Sequence, residues 1–297
     1  MHIQALVTAP PYADFLDEVA RHPITAGLRL NTVMPLKHGP QEALERLRKF
    51  GKPVWVDLKG RQLRVVGGAI PPYTEVMLSH PIEVNTPVDA FFSDGNEIVR
   101  VMAVDGKRLI LEDGPRRLVG PGESVNIIDP SLKIKGTLTE TDRAYLAAMK
   151  KLDMNKVMLS YVESASDVEE VKKLLPGAEV VLKIETGRGI DFARKHGPKY
   201  GRLMAARGDL FVEVLQPHRV AKALKEIVKA DPQAIAASRI FDSLAYTPVP
   251  SSADIGDAAF LMEIGYRSFM FGDAICLKRE TILEGLNLLQ ALAEDYS

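Results

Sequence analysis

Residues 179–209 read EVVLKIETGRGIDFARKHGPKYGRLMAARGD. The run EVVLKI (179–184) is short, apolar and β-branched, so it predicts a strand. Arg188–Lys195 predicts a helix, and a second strand follows around Arg202–Ala205. Strand, helix and strand in that order form a parallel unit, because parallel strands need a crossover between them.

The same alternation extends both ways. Upstream lie strands Ile3–Val7, Gly27–Asn31 and Pro53–Asp57, with helices Asp14–Arg21 and Pro40–Phe50 between them. TLTETD (137–142) places Thr139 as an N-cap with Asp142 three residues on, ahead of helix Arg143–Lys151. Strand Lys156–Ser160 and helix Ser166–Leu175 precede the opening unit. Helix Pro217–Ala230, strand Ala234–Ala237, helix Ala253–Ile264, strand Ser268–Phe271 and helix Arg279–Asp295 follow it. Eight strand–helix pairs predict a closed α/β barrel, the (β/α)8 or TIM barrel.

Residues 61–130 break the pattern. They carry β-rich runs at Thr74–Leu78, Ile98–Val104, Arg108–Leu111 and Ser124–Ile128. Turn signals Gly67-Gly68, Asp94-Gly95, Asp105-Gly106, Asp113-Gly114 and Pro121-Gly122 separate them. This stretch predicts a small antiparallel β domain inserted after the third barrel strand. Residues 1–60 and 131–297 then form the barrel, roughly 230 residues against the ~250 typical of the fold.

Composition narrows the function class. Lys and Arg number 38 against 39 Asp and Glu, so no global basic excess exists to hold a nucleic acid. The single cysteine, Cys276, cannot form an internal disulfide or a cysteine-based zinc site, which fits a reducing, cytoplasmic setting. No apolar run approaches ~18 residues and no leader pattern opens the chain, so neither a membrane span nor a signal peptide is expected. His38, His80, His196 and His218 lack metal-ligand spacing and read as surface or packing residues.

In such a barrel, reactive groups stand at the C-terminal ends of the strands. That rule selects Arg29 and Asn31 on strand two, Asp57 and Lys59 on strand three, and Lys183 and Glu185 on strand five. It also selects Arg207-Gly208-Asp209 on strand six and Ser238 and Arg239 on strand seven. Taken singly, each reads as a salt-bridged rim residue, and Lys59 and Arg64 could simply solvate the hinge of the insert. Taken together, Glu185 and Asp209 suit Mg²⁺ or Mn²⁺. Asp57 is either a structural partner or an ion ligand. Arg29, Lys183 and Arg64 could neutralise a phosphate or carboxylate, and the Gly208 peptide allows a close backbone approach to a small anion. The combination points to phosphoryl transfer or enolate chemistry.

The chain resembles the pyruvate kinase family over nearly its whole length. VDLKGRQLR (56–64) is similar to LDTKGPEIR, FFSDGNEIVRV (91–101) to the IDDG strand, and TLTETD to ALTEKD. VMLSYVESASDVEEV (157–171) resembles ALSFVRSAxDV, KIET (183–186) resembles KIEN, and MAARGDLFVEV (204–214) resembles MVARGDLGVEI. ASRIFDSL (237–244) stands where the family has ATQMLESM, and PVPSSADIGDAA (248–259) is similar to PTRAEVSDVANA. The insert would then be the lid that closes over the barrel.

The resemblance implies roles residue by residue. Glu185 and Asp209 would hold the divalent metal, and Lys183 would stabilise the phosphoryl group in flight. Arg29 would bind the phosphate of phosphoenolpyruvate, and Arg64, with Lys59 retained beside it, the phosphates of ADP or ATP. Asn31 and Asp57 would belong to a monovalent-cation (K⁺) site. The backbone of Gly208 and Asp209 would hold the substrate carboxylate. Ser238, in place of a threonine, would help there and relay a proton to the enolate. The implied partners are phosphoenolpyruvate or pyruvate and a nucleotide, with a homo-oligomer through the barrel left open.

The departures open alternatives. RxNxSHG reads here as Arg29 to Gly39 without an evident serine ligand for the monovalent ion. Gln62 occupies the place of a glutamate or lysine, Arg239 that of a glutamine, and FGDAI (271–275) that of SGETA. The chain stops after the eighth helix, so the regulatory domain of the family, with its sugar-phosphate activation and its share of a tetramer interface, is not expected. A metal-dependent pyruvate-enolate lyase, aldolase or decarboxylase on the same barrel, and a non-catalytic ligand sensor, are the competing readings.

Overall fold

The computed structural model describes residues 1–214 and 216–296. Eight parallel strands close into a barrel: Gln4–Thr8, Thr25–Asn31, Val54–Leu58, Lys156–Leu159, Glu179–Ile184, Arg202–Ala206, Ile235–Ala237 and Ser268–Met270. Each strand pairs with its sequence neighbours, and the last pairs with the first, Gln4 opposite Ser268.

Strand alternation builds two apolar layers from one sequence. Leu28, Leu30, Val56, Leu58, Leu182 and Ile184 face outward and pack in the core under the helices. Leu6, Trp55, Met158, Val181, Met204, Ile235 and Met270 face inward and fill the barrel. Two residues beyond Trp55 and Val181, on the same inward face, stand Asp57 and Lys183. The barrel interior therefore turns from apolar to charged at the C-terminal rim.

The helices follow the expected places within a few residues, at Leu16–Arg21, Pro40–Arg48, Glu140–Lys151, Ala165–Leu174, Gly187–His196, Val220–Ala230, Ser252–Glu263 and Arg279–Asp295. Thr139 caps its helix in a reciprocal box with Asp142. One element was not foreseen. Residues Arg207–Glu213 form a short helix directly on the sixth strand. The sequence places Arg207-Gly208-Asp209 at the end of the sixth strand, whereas the rim residue Asp209 sits in a first helical turn.

The insert is antiparallel. Strands Glu75–Met77, Arg108–Leu111, Glu97–Asp105, Val88–Phe92 and Val125–Asn126 lie side by side in that order. Residues 64 and 65 bridge beside both edges, Arg64 to Ser124 and Val65 to Leu78, and so partly cover them. Val88–Phe92 was not singled out beforehand, and a further pair joins Ile82–Glu83 to Lys133–Ile134. Leu63, Val76, Leu78, Phe92, Val101, Leu109 and Val125 form a core of their own, separate from the barrel's. Cys276 is buried and free, and burial pushes its thiol far up, which leaves it inert.

Candidate active site

The charged rim is one connected cluster. Asp57, wholly buried, is its centre. Arg29 donates to it from Nε at 2.8 Å and also from Nη2, Lys183 from Nζ at 3.2 Å, and Lys59 from Nζ at 3.4 Å. Burial opposes the charge on Asp57, but Lys183, Lys59 and Arg29 hold its carboxyl well below the usual range. Arg29 is also tied through Nη1 to Thr8 at 2.8 Å and to Asp273. Asn31 donates to the other oxygen of Asp273 at 2.7 Å. Asp273 is thus a site residue that the strand-end rule did not reach, because it lies beyond the eighth strand in FGDAI.

Lys183 stands between two carboxylates. Its Nζ lies 3.3 Å from Glu185 Oε1 and donates to Ser160 Oγ at 2.7 Å. Burial works against its charge, yet Asp57 and Glu185 raise its pKa, so it stays protonated. Lys59 holds the weakest of the three contacts to Asp57, and burial pulls it down to about 7.

Glu185 is 2% exposed, and burial followed by the nearby charge of Asp209 pushes its carboxyl up to about 7, against the pull of Lys183. Its Oε2 accepts from the Tyr161 backbone N–H at 2.8 Å. Asp209 is held from above by the insert. Gln62 donates to Oδ2 at 2.7 Å, and Asn126 and the Tyr161 hydroxyl donate to Oδ1 at 3.3 and 3.2 Å. Among the described residues Arg64 reaches the cluster through Gln62 Oε1 alone, and its Nη1 donates to the Gly122 carbonyl at 2.7 Å.

Ser238 is placed by its backbone. It adopts φ +67, and its carbonyl accepts from Arg207 Nε at 3.0 Å. Its hydroxyl makes no hydrogen bond among the described residues. Arg239 stacks on the Phe211 ring, 4.5 Å from the centroid. A Cβ built on Gly208 would meet nothing within 4 Å, so that face of the rim is open. Arg29, Asn31, Asp57, Lys59, Lys183 and Glu185 therefore form one network, Asp209 and Arg64 join it through Tyr161 and Gln62, and Gly208 and Ser238 stand alongside. Among the described residues no three His, Cys, Asp or Glu side chains gather for a metal. A cation here would rest on two carboxylates, with water or ligand oxygens completing its shell.

The family model "Pyruvate kinase, barrel domain" matches residues 78–274. The chain belongs to the pyruvate kinase family. It is 23% identical over 302 residues to the pyruvate kinase of Borreliella burgdorferi, covering 90% of this chain and 62% of that protein. It is 32% identical over 205 residues to a pyruvate kinase of Agrobacterium vitis, covering 67% of this chain and 41% of that protein. The pyruvate kinase of Methanocaldococcus jannaschii is 25% identical over 312 residues, 88% of this chain and 69% of that protein. This pyruvate kinase family member thus spans about 62% and 41% of the first two relatives. Among its described residues no helix is long and apolar enough to cross a membrane.

Proposed function

We propose that this chain catalyses phosphoryl transfer between phosphoenolpyruvate and ADP, giving pyruvate and ATP. The observation that carries the reading is Lys183 and Glu185 buried together at the rim, with Asp209 in the helical turn that follows the next strand, under the insert. Glu185 and Asp209 would hold Mg²⁺ or Mn²⁺, which supplies charge neutralisation to the phosphoryl and enolate oxygens. The donor set fits, since both are hard oxygen ligands. Burial first, and then the charge of Asp209 beside it, push Glu185 up to about 7, a penalty on its charged form that a cation would offset.

The chain's own groups have distinct tasks. Lys183, fixed and protonated between Asp57 and Glu185, places positive charge beside the transferring group. Arg29, Lys59 and Arg64 would bind phosphates. The Gly208 and Asp209 N–H groups would receive the substrate carboxylate on the open face of the rim, and the free hydroxyl of Ser238 would pass a proton to the enolate. The insert, closed through Gln62 and Asn126, would keep water from the transferring phosphoryl group. Asn31 and Asp57 remain the pair for K⁺, although three cationic side chains already face Asp57, which weighs against drawing a further cation there.

One observation favours a second reading. All three guanidinium nitrogens of Arg29 are engaged by Asp57, Thr8 and Asp273. Four of its five N–H donors are thus used, so bidentate binding of a phosphate would displace one of these partners, whereas an enolate formed by carbon–carbon cleavage makes no such demand. The test is a coupled assay of ATP formation with Mg²⁺ and K⁺, run beside nucleotide-free pyruvate release from oxo-acids. ATP formation that Glu185→Gln abolishes supports the kinase reading. Pyruvate release without nucleotide and no ATP overturns it in favour of the lyase.

A further inference from the structure

Tyr161 follows the fourth barrel strand in left-handed backbone, φ +54, a conformation unfavourable for a residue with a side chain. The turn lets one residue touch both acidic side chains. Its backbone N–H donates to Glu185 Oε2 at 2.8 Å. Its hydroxyl reaches Asp209 Oδ1 at 3.2 Å and Glu213 Oε1 at 3.3 Å. From the insert, the two N–H donors of Asn126 stand within reach of the phenol oxygen, Asp209 Oδ1 at 3.3 Å and Glu213 Oε1 at 2.9 Å. Tyr161 is 7% exposed and Asn126 1%, so water does not compete for these contacts. The similar family stretch ALSFVRSA carries a phenylalanine at this place, which has no hydroxyl to offer.

We propose that Tyr161 is a positioning residue for the divalent-cation site: its backbone fixes Glu185, its hydroxyl fixes Asp209, and Asn126 ties that hydroxyl and Asp209 to the insert. The inference rests on the assignment of Glu185 and Asp209 as cation ligands. Two buried carboxylates of like charge repel one another, and donors that hold them in place remove part of the cost of bringing them to one ion. Because Asn126 belongs to the insert, cation affinity and closure of the insert are linked, and the linkage is reciprocal.

The test is a Mn²⁺ titration of the intact chain followed by electron paramagnetic resonance, with hydrogen exchange of residues 88–126 measured with and without Mn²⁺. Tyr161→Phe removes the hydroxyl and keeps the ring, so it preserves the apolar packing. It is expected to weaken Mn²⁺ binding about 10–100-fold and to abolish the protection that Mn²⁺ gives the insert. Asn126→Ala is expected to do the same, and the double variant to lose less than the product of the single losses, because both donors serve Asp209 Oδ1. Wild-type Mn²⁺ affinity in Tyr161→Phe overturns the proposal. Asp209→Asn separates it from its premise. Mn²⁺ binding unchanged in that variant, or absent from the wild type, overturns the ligand assignment and this inference with it.

Discussion

Lys183 is the cation whose removal should cost most, because it is flanked by Asp57 at 3.2 Å and Glu185 at 3.3 Å and its charge cannot be replaced by solvent. Lys183→Met is expected to lower ATP formation by about 10²–10³-fold, as loss of a fixed electrostatic donor does; unchanged turnover in the coupled assay removes Lys183 from the chemistry. Lys59 makes a different, pH-dependent statement. Burial holds it at about 7, below the ~10.4 of a free lysine. Between those values the unfolded chain binds more protons than the folded one, so the Lys59 contribution to stability rises as pH climbs through that window. Urea unfolding of wild type and Lys59→Met should show the wild type gaining on the variant by on the order of 2 kcal/mol from pH 7 to 9; a constant difference refutes the depressed pKa. Both lysines were legible in the sequence because apolar strand runs end on them, as were Asp57, Glu185 and Asp209. Tyr161, Asn126 and Asp273 were not assigned roles, for a physical reason. Asn126 and Asp209 stand 83 residues apart, and Arg29 and Asp273 stand 244 apart. Only closure of the barrel and docking of the insert bring them together, and no local pattern encodes that.

The helix Glu140–Lys151 does more than cover the barrel. Asp142 at its third position is wholly buried and closes the capping box with Thr139. The same carboxylate accepts from the backbone N–H of Lys59 at 2.9 Å and of Gly60 at 3.2 Å. One side chain therefore caps a helix and fixes the hinge where the chain leaves the barrel for the insert. Gly60 is needed at that hinge: its φ is +51, and a Cβ there would come within 2.6 Å of the Ser160 carbonyl oxygen. Asp142→Ala strands three backbone donors at once, those of Lys59, Gly60 and Thr139. It is expected to cost about 2–4 kcal/mol of stability, read from the midpoint of urea unfolding; a loss within ~0.5 kcal/mol, the range of ordinary surface changes, removes the hinge role. The cap was visible as TLTETD, because capping is local. The contact to the hinge was not, because Lys59 and Asp142 are 83 residues apart with the whole insert between them. The short helix Arg207–Glu213 escaped for the opposite reason: seven residues are too few for a periodic pattern to show.

The barrel and the insert keep apolar cores that share no residue, the barrel's in two layers, under its helices and inside its strands. What joins them near the rim is polar, Gln62 and Asn126 on Asp209 and Arg188 on the carbonyl of Pro130. Polar contacts position the insert but contribute little apolar burial, so the barrel should not need the insert in order to fold. The geometry also supplies the cut. The Val125 N–H donates to the Leu63 carbonyl at 3.0 Å, so the chain leaves and returns at neighbouring points. Replacing residues 64–124 by two glycines spans that gap without strain, since two extended residues reach ~7 Å. The shortened chain is expected to keep the far-ultraviolet dichroism of an α/β barrel and the blue-shifted emission of Trp55, which is buried inside the barrel strands. It is expected to lose ATP formation, because Arg64 goes with the insert and the rim opens to water. An aggregated or unfolded product would mean that the barrel draws its stability from the insert, and the division into two cores would not be a division into two folding units.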